Sequence, residues 1–242
     1  MRKMTVQPDC QPADAAGIEI VGIGAIRWPL IIIDGSTTRP QELVRYACQA
    51  GAFEEVSGNL YPGLRAPMPL SFVRAMAQRL DPLIREVYEL GAARLGRVEC
   101  FFSIVTTQPE HLLPYQTIPH IDTTDPLHFA TVHYLCDAGF GGTAFFRQDD
   151  TALERISSDE DRAWAAARDV CLGGAIGSSY PSAQTPGYTQ NGQALAAFDR
   201  LIVYPSNALH AGIIHPTIEH SPDPQRGRLT ATMFIGYNPP AK

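Results

Sequence analysis

Two residue types that bind metal ions come together in one short step of the sequence, His120 and Asp122. Residues 116–122 are interpreted as a β-strand, on which side chains two positions apart point to the same face. An imidazole nitrogen and a carboxylate oxygen would then lie side by side. They make up two-thirds of the 2-His-1-carboxylate set that suits non-haem Fe(II) with open coordination positions. The step alone is a weak signal, so the rest of the chain must supply a third ligand.

Three histidines further along the chain compete for the place of the third ligand. His210 follows a short turn after the apolar strand predicted over residues 201–204, with small residues after it. Ligands that rigid elements position are more reliably placed, which favours His210. His215 and His220 stay open as alternatives, because prolines interrupt this stretch and its periodicity does not decide between them.

The start of the last predicted strand has the residue types of a carboxylate receptor. Arg228 and Thr230 share one strand face, so a guanidinium fork and a hydroxyl would point into the same space. Arg226 is the neighbouring arginine that we expect to be solvated. Tyr134, on the strand after the metal-binding step, has two equal interpretations. Its phenol donates to the same carboxylate or to a metal-bound oxygen, or it is a core tyrosine with its hydroxyl at the edge.

Two segments rich in glycine, proline and aromatic residues have the composition of loops that frame a binding site. They are residues 59–67, which include Tyr61 and Arg65, and residues 173–192. Loops on a rigid scaffold often hold binding groups, and long loops are often lids. Tyr61 and Arg65 are therefore candidate substrate-binding residues, although each loop is also explained as a simple connection.

Apolar periodicity predicts a fold of mixed α+β, mainly β character. The N-terminal half mixes helices with strands, and we expect its helices to buttress one face of a sheet. Short strands dominate from residue 116 onward, where a double-stranded β-helix, or jelly roll, would bring the site residues together. The predicted strands span residues 18–23, 28–34, 98–105, 116–122, 129–135, 143–146, 195–204 and 229–235, and the predicted helices span 42–48, 70–80, 81–90 and 159–170.

Length and composition favour one globular domain. The chain has 242 residues, of which 45% are hydrophobic and 18% charged, which suits a single core. We expect a disordered leader over residues 1–17 and one domain over 18–242, with the site motifs within 116–237. A net charge of −6 offers no basic footprint for nucleic acid, and no apolar run is long enough for a membrane span. A homodimer is left open.

Cysteine usage bears on the compartment. The five cysteines are an odd number, widely spaced and without a C-x-x-C pair, which argues against a disulfide framework and a structural zinc site. A reducing compartment would also keep iron ferrous. We therefore expect a cytoplasmic protein.

Taken in chain order, these motifs resemble the Fe(II)/2-oxoglutarate-dependent dioxygenases. Within them, the sequence is most similar to the prolyl-hydroxylase-like branch and to a bacterial group of unknown function. The resemblance covers about the C-terminal half of the chain, and the spacing from His210 to Arg228 is longer than is common in that branch. The matching stretches are residues 119–123, 133–135, 141–146, 199–212 and 227–234.

The resemblance implies a site and a reaction. Fe(II) would be bound by His120, Asp122 and His210, and 2-oxoglutarate would chelate it while its far carboxylate pairs with Arg228 and Thr230. With O₂, the co-substrate would be converted to succinate and CO₂ as an unactivated C–H bond is hydroxylated. The substrate would be an amino acid, a peptide side chain or a small natural product. Halogenating relatives lack the carboxylate ligand, so Asp122 indicates a hydroxylase.

Two other classes of function fit the same residues. A zinc-dependent hydrolase would use the same three ligands and a bound water, but needs a general base near the metal. A non-catalytic jelly-roll protein would bind a ligand with its histidines incidental.

Overall fold

The computed structural model describes residues 7–14, 17–49, 53–56, 61–173, 179–215 and 217–240. Within these ranges the chain forms ten β-strands and three α-helices, and all strand pairs are antiparallel. The strands are β1 (Gly17–Ile23), β2 (Trp28–Asp34), β3 (Gly63–Ala66), β4 (Arg94–Val105), β5 (His128–Tyr134), β6 (Gly142–Gln148), β7 (Tyr188–Leu195), β8 (Arg200–Pro205), β9 (His210–Ile213) and β10 (Leu229–Asn238).

The strands form a large sheet and a small one. The seven-stranded sheet has the order β1-β2-β8-β5-β10-β4-β3, and the three-stranded sheet has the order β7-β6-β9. The mainly β architecture predicted from the sequence is confirmed. The helices are α1 (Pro40–Gln49), α2 (Leu70–Val87) and α3 (Asp161–Gly173).

The two faces of the large sheet have different environments, as the alternation along β10 shows. Leu229, Ala231, Met233 and Ile235 belong to the core cluster that also contains the buried face of α2. The alternate residues Thr230, Thr232 and Phe234 border a cavity on the other face. Because side chains alternate across a strand, one apolar row anchors the sheet to the helix while the other row is free for a site.

Helix α2 is longer than the sequence predicts. A break at Asp81 and Pro82 was expected, yet α2 is continuous with Pro82 inside it. The expectation is wrong because the apolar stripe continues past the proline, with Leu80 and Ile84 both buried. Pro82 itself is exposed, on the outer side of the helix. Burial of that stripe compensates for the backbone hydrogen bond that proline cannot donate.

Two predicted strands and two predicted loops also differ from the structure. Residues 116–122 do not form a continuous strand; instead His120 makes a single bridge to His210. Residues 195–204 are not one strand, because β7 ends at Leu195 and a turn with Asp199 at φ 66° precedes β8. The two predicted loops contribute strands, since residues 63–66 form β3 and β7 begins at residue 188.

Part of the predicted leader packs on the body of the protein. Cys10 is fully buried, and the Ala13 N–H donates to the Ser36 carbonyl over 2.9 Å. Residues 1–6 and 15–16 lie outside the described residues. All five cysteines are free thiols. Among the described helices, none has the length and apolarity needed to cross a membrane.

Candidate functional site

Three predicted metal ligands meet at one end of the cavity. One ligand atom from each of His120, Asp122 and His210 lies within 4.8 Å of the others, and these residues are called the triad. The two imidazole centroids are 4.4 Å apart, and His210 Nε2 lies 3.9 Å from Asp122 Oδ2. That separation is too long for a hydrogen bond. The donor atoms therefore face one another without pairing, which is the arrangement that a cation between them requires.

Main-chain hydrogen bonds hold all three triad positions. His120 and His210 each donate an N–H to the other's carbonyl over 2.9 Å, which forms the isolated bridge. The Asp122 N–H donates to the Ser206 carbonyl, also over 2.9 Å. The short His-x-Asp segment is thus attached to β9 and to the turn before it. The backbone sets the ligand positions independently of the ligand side chains.

The hydrogen bonding of His210 fixes which nitrogen is free. Its Nδ1 lies 2.9 Å from the Ala208 carbonyl, which only accepts, so Nδ1 carries the proton. The lone pair is then on Nε2, the atom nearer Asp122. Tyr204 packs edge-on against the ring at 4.9 Å and restricts its rotation. The residue is buried, so the imidazole is positioned as a neutral ligand.

The buried surroundings of the triad disfavour the charged forms of its three side chains. Burial lowers the pKa of His210 to about 4. Solvent in the cavity reaches His120, but the packed protein around its ring, and then His210, lower its pKa to about 4, against the opposing effect of Asp122. Burial raises the pKa of Asp122 above its usual range. Both imidazoles are neutral at pH 7 with lone pairs free, and a cation would favour the ionised carboxylate.

The triad opens into a cavity of about 320 Å³ between the two sheets. Polar groups are few and concentrated, while aromatic and aliphatic side chains make up much of the wall, as is common for small-molecule sites. The polar lining includes the triad, Arg65, Arg228, Thr143, Thr230 and Thr232, and the aromatic lining is Tyr61, Tyr115, Tyr180, Tyr204 and Phe234.

Arg228 is buried at the cavity with part of its hydrogen-bonding capacity unused. Its Nε donates to the Phe140 carbonyl over 3.1 Å, and its Nη2 donates to the Gly142 carbonyl over 2.7 Å. Two carbonyls hold one edge of the guanidinium, so the Nη1 hydrogens and one Nη2 hydrogen remain. No ion pair of Arg228 is present in the described part of the chain, whereas Arg226 pairs with Glu219 at the surface. A buried guanidinium with a free end is a receptor for an anion.

Thr230 and Tyr134 differ in their position relative to the cavity. Thr230 lines it, buried, and its hydroxyl makes a long contact of 3.4 Å to the Ser103 carbonyl. Tyr134 is fully buried, its hydroxyl lies 2.7 Å from Thr143 Oγ1, and its ring packs 5.8 Å from the Arg228 guanidinium. Thr143 lines the cavity. Tyr134 thus supports two cavity groups from behind.

Sequence reasoning missed two residues of the site. Thr143 is a buried polar residue in the otherwise apolar start of β6, and that exception in the pattern was the available signal. Ser206 bonds Asp122 through its carbonyl, while its hydroxyl lies 2.8 Å from His128 Nδ1. Nothing in the local sequence marks Ser206, because its partners come from other segments.

The two competing histidines lie outside the triad. His215 is exposed, and its Nδ1 lies 2.9 Å from the Thr217 hydroxyl. His220 stacks on Tyr180, with ring centroids 6.0 Å apart. Neither belongs to the triad cluster.

Both predicted rim segments contribute to the cavity. Tyr61 and Arg65 line it from the first segment, and Tyr180 and Pro181 line it from the second. Residues 57–60 and 174–178, which complete these segments, lie outside the described residues.

Comparisons with known proteins give a family without an assigned activity. The model of the Family of unknown function (DUF6445) matches residues 14–235. No curated protein matches the chain. The prolyl-hydroxylase-like branch therefore stays a prediction.

Several solved structures are similar at low identity. A non-heme alpha ketoglutarate dependent epimerase, SnoN from nogalamycin biosynthesis, is 12% identical, with 86% of this chain and 78% of that chain covered and a TM-score of 0.47. HygX from Streptomyces hygroscopicus, with iron bound, is 10% identical over 89% and 82%, with a TM-score of 0.48. A novel N-substituted L-amino acid dioxygenase from Burkholderia ambifaria AMMD is 11% identical over 96% and 99%, with a TM-score of 0.40.

Proposed function

The chain belongs to the family of unknown function DUF6445, whose model matches residues 14–235, and we propose that it is an Fe(II)- and 2-oxoglutarate-dependent oxygenase. Its two sheets would be the double-stranded β-helix of that enzyme class. The reaction would hydroxylate an unactivated C–H bond of an amino acid, a peptide side chain or a small natural product. The five free cysteines support a reducing, cytoplasmic setting.

One observation supports the proposal above all. Two histidines and one carboxylate meet within 4.8 Å in the same cavity as a buried arginine whose end is free. The donor set suits Fe(II) with positions left for other ligands. The arginine suits a dicarboxylate co-substrate whose other end lies at the metal. The triad alone would also fit a simple metal site, and the arginine alone would also fit a simple anion site.

The triad would hold the metal through three fixed side-chain atoms. His210 offers Nε2 because Nδ1 donates to the Ala208 carbonyl. Asp122 offers a carboxylate oxygen 3.9 Å from that nitrogen, and His120 completes the set. When bound, Fe(II) with 2-oxoglutarate and O₂ supplies the oxidising power, with release of succinate and CO₂.

Arg228 would bind the far carboxylate of 2-oxoglutarate. The carbonyls of Phe140 and Gly142 hold the guanidinium, so its free end is already oriented. Thr230 and Thr143 line the same cavity and add hydroxyl donors. Because the site is buried, these contacts are stronger than the same contacts in water.

The cavity walls would keep water from the reacting C–H bond. Tyr204 and Phe234 line it from the large sheet, and Tyr180 lines it from the second rim segment. Burial raises the pKa of Tyr134 to about 12, so its phenol stays protonated and hydrogen-bonded to Thr143 at neutral pH. The walls therefore add shape without a second charged reactive group.

A zinc hydrolase is the second candidate, and the cavity lining argues against it. Such an enzyme needs a carboxylate or comparable base beside the metal-bound water. Among the described residues that line the cavity, Asp122 is the sole carboxylate, and it is already a triad member.

The test is 2-oxoglutarate turnover by anaerobically purified protein reconstituted with Fe(II). We expect one Fe(II) per chain, a visible absorption band when 2-oxoglutarate is added, and succinate after exposure to air even without a primary substrate. Asp122→Ala should lose all three. If the wild-type protein forms no succinate and Zn²⁺ supports ester hydrolysis instead, the proposal is wrong and the hydrolase is favoured.

A further inference from the structure

A second arginine, Arg65, lines the cavity from the edge strand β3. Ser103 on β4 is the register partner of both Arg65 and Thr230, so these three residues form one row across the sheet. Residues in one row point to the same face of an antiparallel sheet. Arg65 therefore faces the same space as Thr230, although it lies two strands away.

Arg65 has no hydrogen-bonding partner that would explain it as a structural residue. Its Nε is buried and bonds to nothing in the described part of the chain, and no hydrogen bond or ion pair of its side chain occurs there. Its guanidinium lies 5.2 Å from the Tyr61 ring centroid and 4.9 Å from that of Phe101. The two rings hold the guanidinium plane but accept little of its hydrogen-bonding capacity. A half-buried guanidinium whose terminal Nη groups have no partner is stabilised when an anion binds them.

The contrast with Arg228 indicates a different ligand. Two backbone carbonyls satisfy part of Arg228, and the free end suits one carboxylate. 2-Oxoglutarate has two carboxylates, of which the proposed function assigns one to the metal and one to Arg228. Arg65 is then left for another molecule in the same cavity.

We propose that Arg65 binds a carboxylate of the primary substrate, which makes that substrate a small carboxylic acid with an apolar body. This inference rests on the proposed function for the assignment of Arg228. The two terminal Nη groups, which have no partner in the described part of the chain, form the bidentate end that a planar carboxylate fits. The aromatic walls Tyr115 and Phe234 fit the apolar remainder.

The charges around Arg65 favour an anion of one charge. Asp122 and Glu99 are the carboxylates that interact with it electrostatically. A single guanidinium matches the charge of a monoanionic carboxylate, and Glu99 on the neighbouring strand opposes a second negative charge on the ligand. The interaction with Asp122 also puts the substrate carboxylate on the triad side of the cavity.

The experiment uses a panel of N-acetyl aliphatic and aromatic amino acids and their matched primary amides. Binding is measured by ligand-detected NMR on full-length protein carrying Zn²⁺ in place of Fe(II) and saturated with 2-oxoglutarate. We expect at least one acid to bind about tenfold more tightly than its amide, because a charge-assisted bidentate contact is lost in the amide. Arg65→Gln, which keeps the stem on the two rings, should abolish that preference, and Arg65→Lys should restore part of it.

The matched control is Arg94→Gln, an exposed arginine at the far end of β4, which should keep the acid preference. An acid preference that survives in Arg65→Gln, or a wild-type protein that binds no acid better than its amide, overturns the inference. If Arg65→Gln weakens 2-oxoglutarate instead, Arg65 is the co-substrate receptor and the inference is wrong.

The readouts separate this failure from failure of the proposed function. Iron binding and the Fe(II)–2-oxoglutarate absorption band are measured on the same variants, and Arg65→Gln should retain both. If wild-type protein lacks them, the oxygenase proposal fails. The acid–amide comparison on metal-free protein then still decides whether Arg65 recognises a carboxylate.

Discussion

Histidine and aspartate meet at two places in this protein, and only one has the geometry of a metal site. In the core, His133 Nε2 lies 2.8 Å from Asp199 Oδ1. Asp199 also accepts hydrogen bonds from the Ser36 hydroxyl, the Thr37 hydroxyl and the Thr37 N–H at 2.7–3.2 Å. These four residues form one buried hydrogen-bonded cluster. Its donors point to the Asp199 carboxylate, so its polar groups pair with one another.

The triad contains the same residue types, but its side chains do not hydrogen-bond to one another. His210 and Asp122 are 3.9 Å apart, and their donor atoms border a cavity. The pKa directions follow the same division. Burial acts to raise the pKa of Asp199, but hydrogen bonds from His133 and Thr37 outweigh it and the pKa is lowered. At Asp122 burial prevails and the pKa is raised.

The difference teaches that partner satisfaction, more than residue type, separates a structural cluster from a site. A satisfied carboxylate stabilises the fold, whereas an unsatisfied one is a cost that a ligand removes. Four substitution experiments test whether this division is correct.

The largest expected effect is loss of the metal on changing a triad residue. His120→Ala, Asp122→Ala and His210→Ala should each weaken Fe(II) binding by at least about a hundredfold, since even residues that only orient ligands contribute 10–100-fold. His133→Ala should bind Fe(II) like the wild type, because its ring bonds Asp199 and is remote from the triad. Fe(II) titration under anaerobic conditions is the measurement.

His215→Ala is the control for the third ligand, and it should leave Fe(II) binding unchanged. Loss of iron in His215→Ala but not in His210→Ala would mean that the third ligand is misassigned.

The next effect concerns the co-substrate. Arg228→Ala should leave a carboxylate buried and unpaired, at a cost of roughly 2–5 kcal/mol by analogy with broken buried charge pairs. The apparent constant for 2-oxoglutarate should then rise by tens-fold or more, since each 1.4 kcal/mol is about tenfold. Arg228→Lys should recover only part of the affinity. The measurement is 2-oxoglutarate titration of the Fe(II) form.

Iron binding should survive both changes at Arg228. Arg226→Ala is the matched control, because Arg226 pairs with Glu219 at the surface. A rise in the constant for Arg226→Ala alone would move the assignment by two residues and remove the role of Thr230.

The free energy of unfolding should depend more on the core residue Asp199 than on the triad residue Asp122. Asp199→Ala removes the acceptor of several buried donors and should lower the free energy of unfolding by about 3 kcal/mol. Asp122→Ala removes a carboxylate for which the cost of burial outweighs the hydrogen bond from Ser206, and should change that free energy by less than about 1 kcal/mol in the metal-free protein. Denaturant unfolding of both variants is the test, and equal losses would contradict the division between the two clusters.

The smallest effect is a dependence on acid. The pKa of Asp199 is lowered in the folded protein, so its stabilisation is present above the unfolded value of about 3.9. It is lost as the pH falls through the lower folded pKa. The stability difference between the wild type and Asp199→Asn should therefore be constant between about pH 7 and 5, and shrink below about pH 4. A difference that grows on acidification would reverse the assigned sign.

The sequence predicts those parts of the site that depend on short spacing. His120 with Asp122, and Arg228 with Thr230, are two positions apart in the sequence, so local geometry brings each pair together. The sequence favours His210 because it follows a predicted strand, but the bridge that brings it to His120 joins distant segments, and no periodicity encodes that bridge. The same limit applies to Ser206, whose role rests on a backbone carbonyl.

Some fold boundaries were unpredictable for a related reason. β3 pairs with β4 although its four residues look like a proline- and glycine-rich loop. Helix α2 continues through Pro82 because tertiary burial outweighs the local signal. The sequence also does not reveal that His133 Nε2 pairs with Asp199, which lies in a turn 66 residues away.

The backbone bonds at the triad separate the frame of the site from its chemistry. The mutual bridge of His120 and His210, and the bond from the Asp122 N–H to the Ser206 carbonyl, use no side-chain atom. A substitution at any of the three positions therefore alters the ligand set while the backbone positions of the three residues are kept. A lineage descended from this protein has a short path to another metal or reaction, because single side chains can be exchanged on a frame that need not be rebuilt.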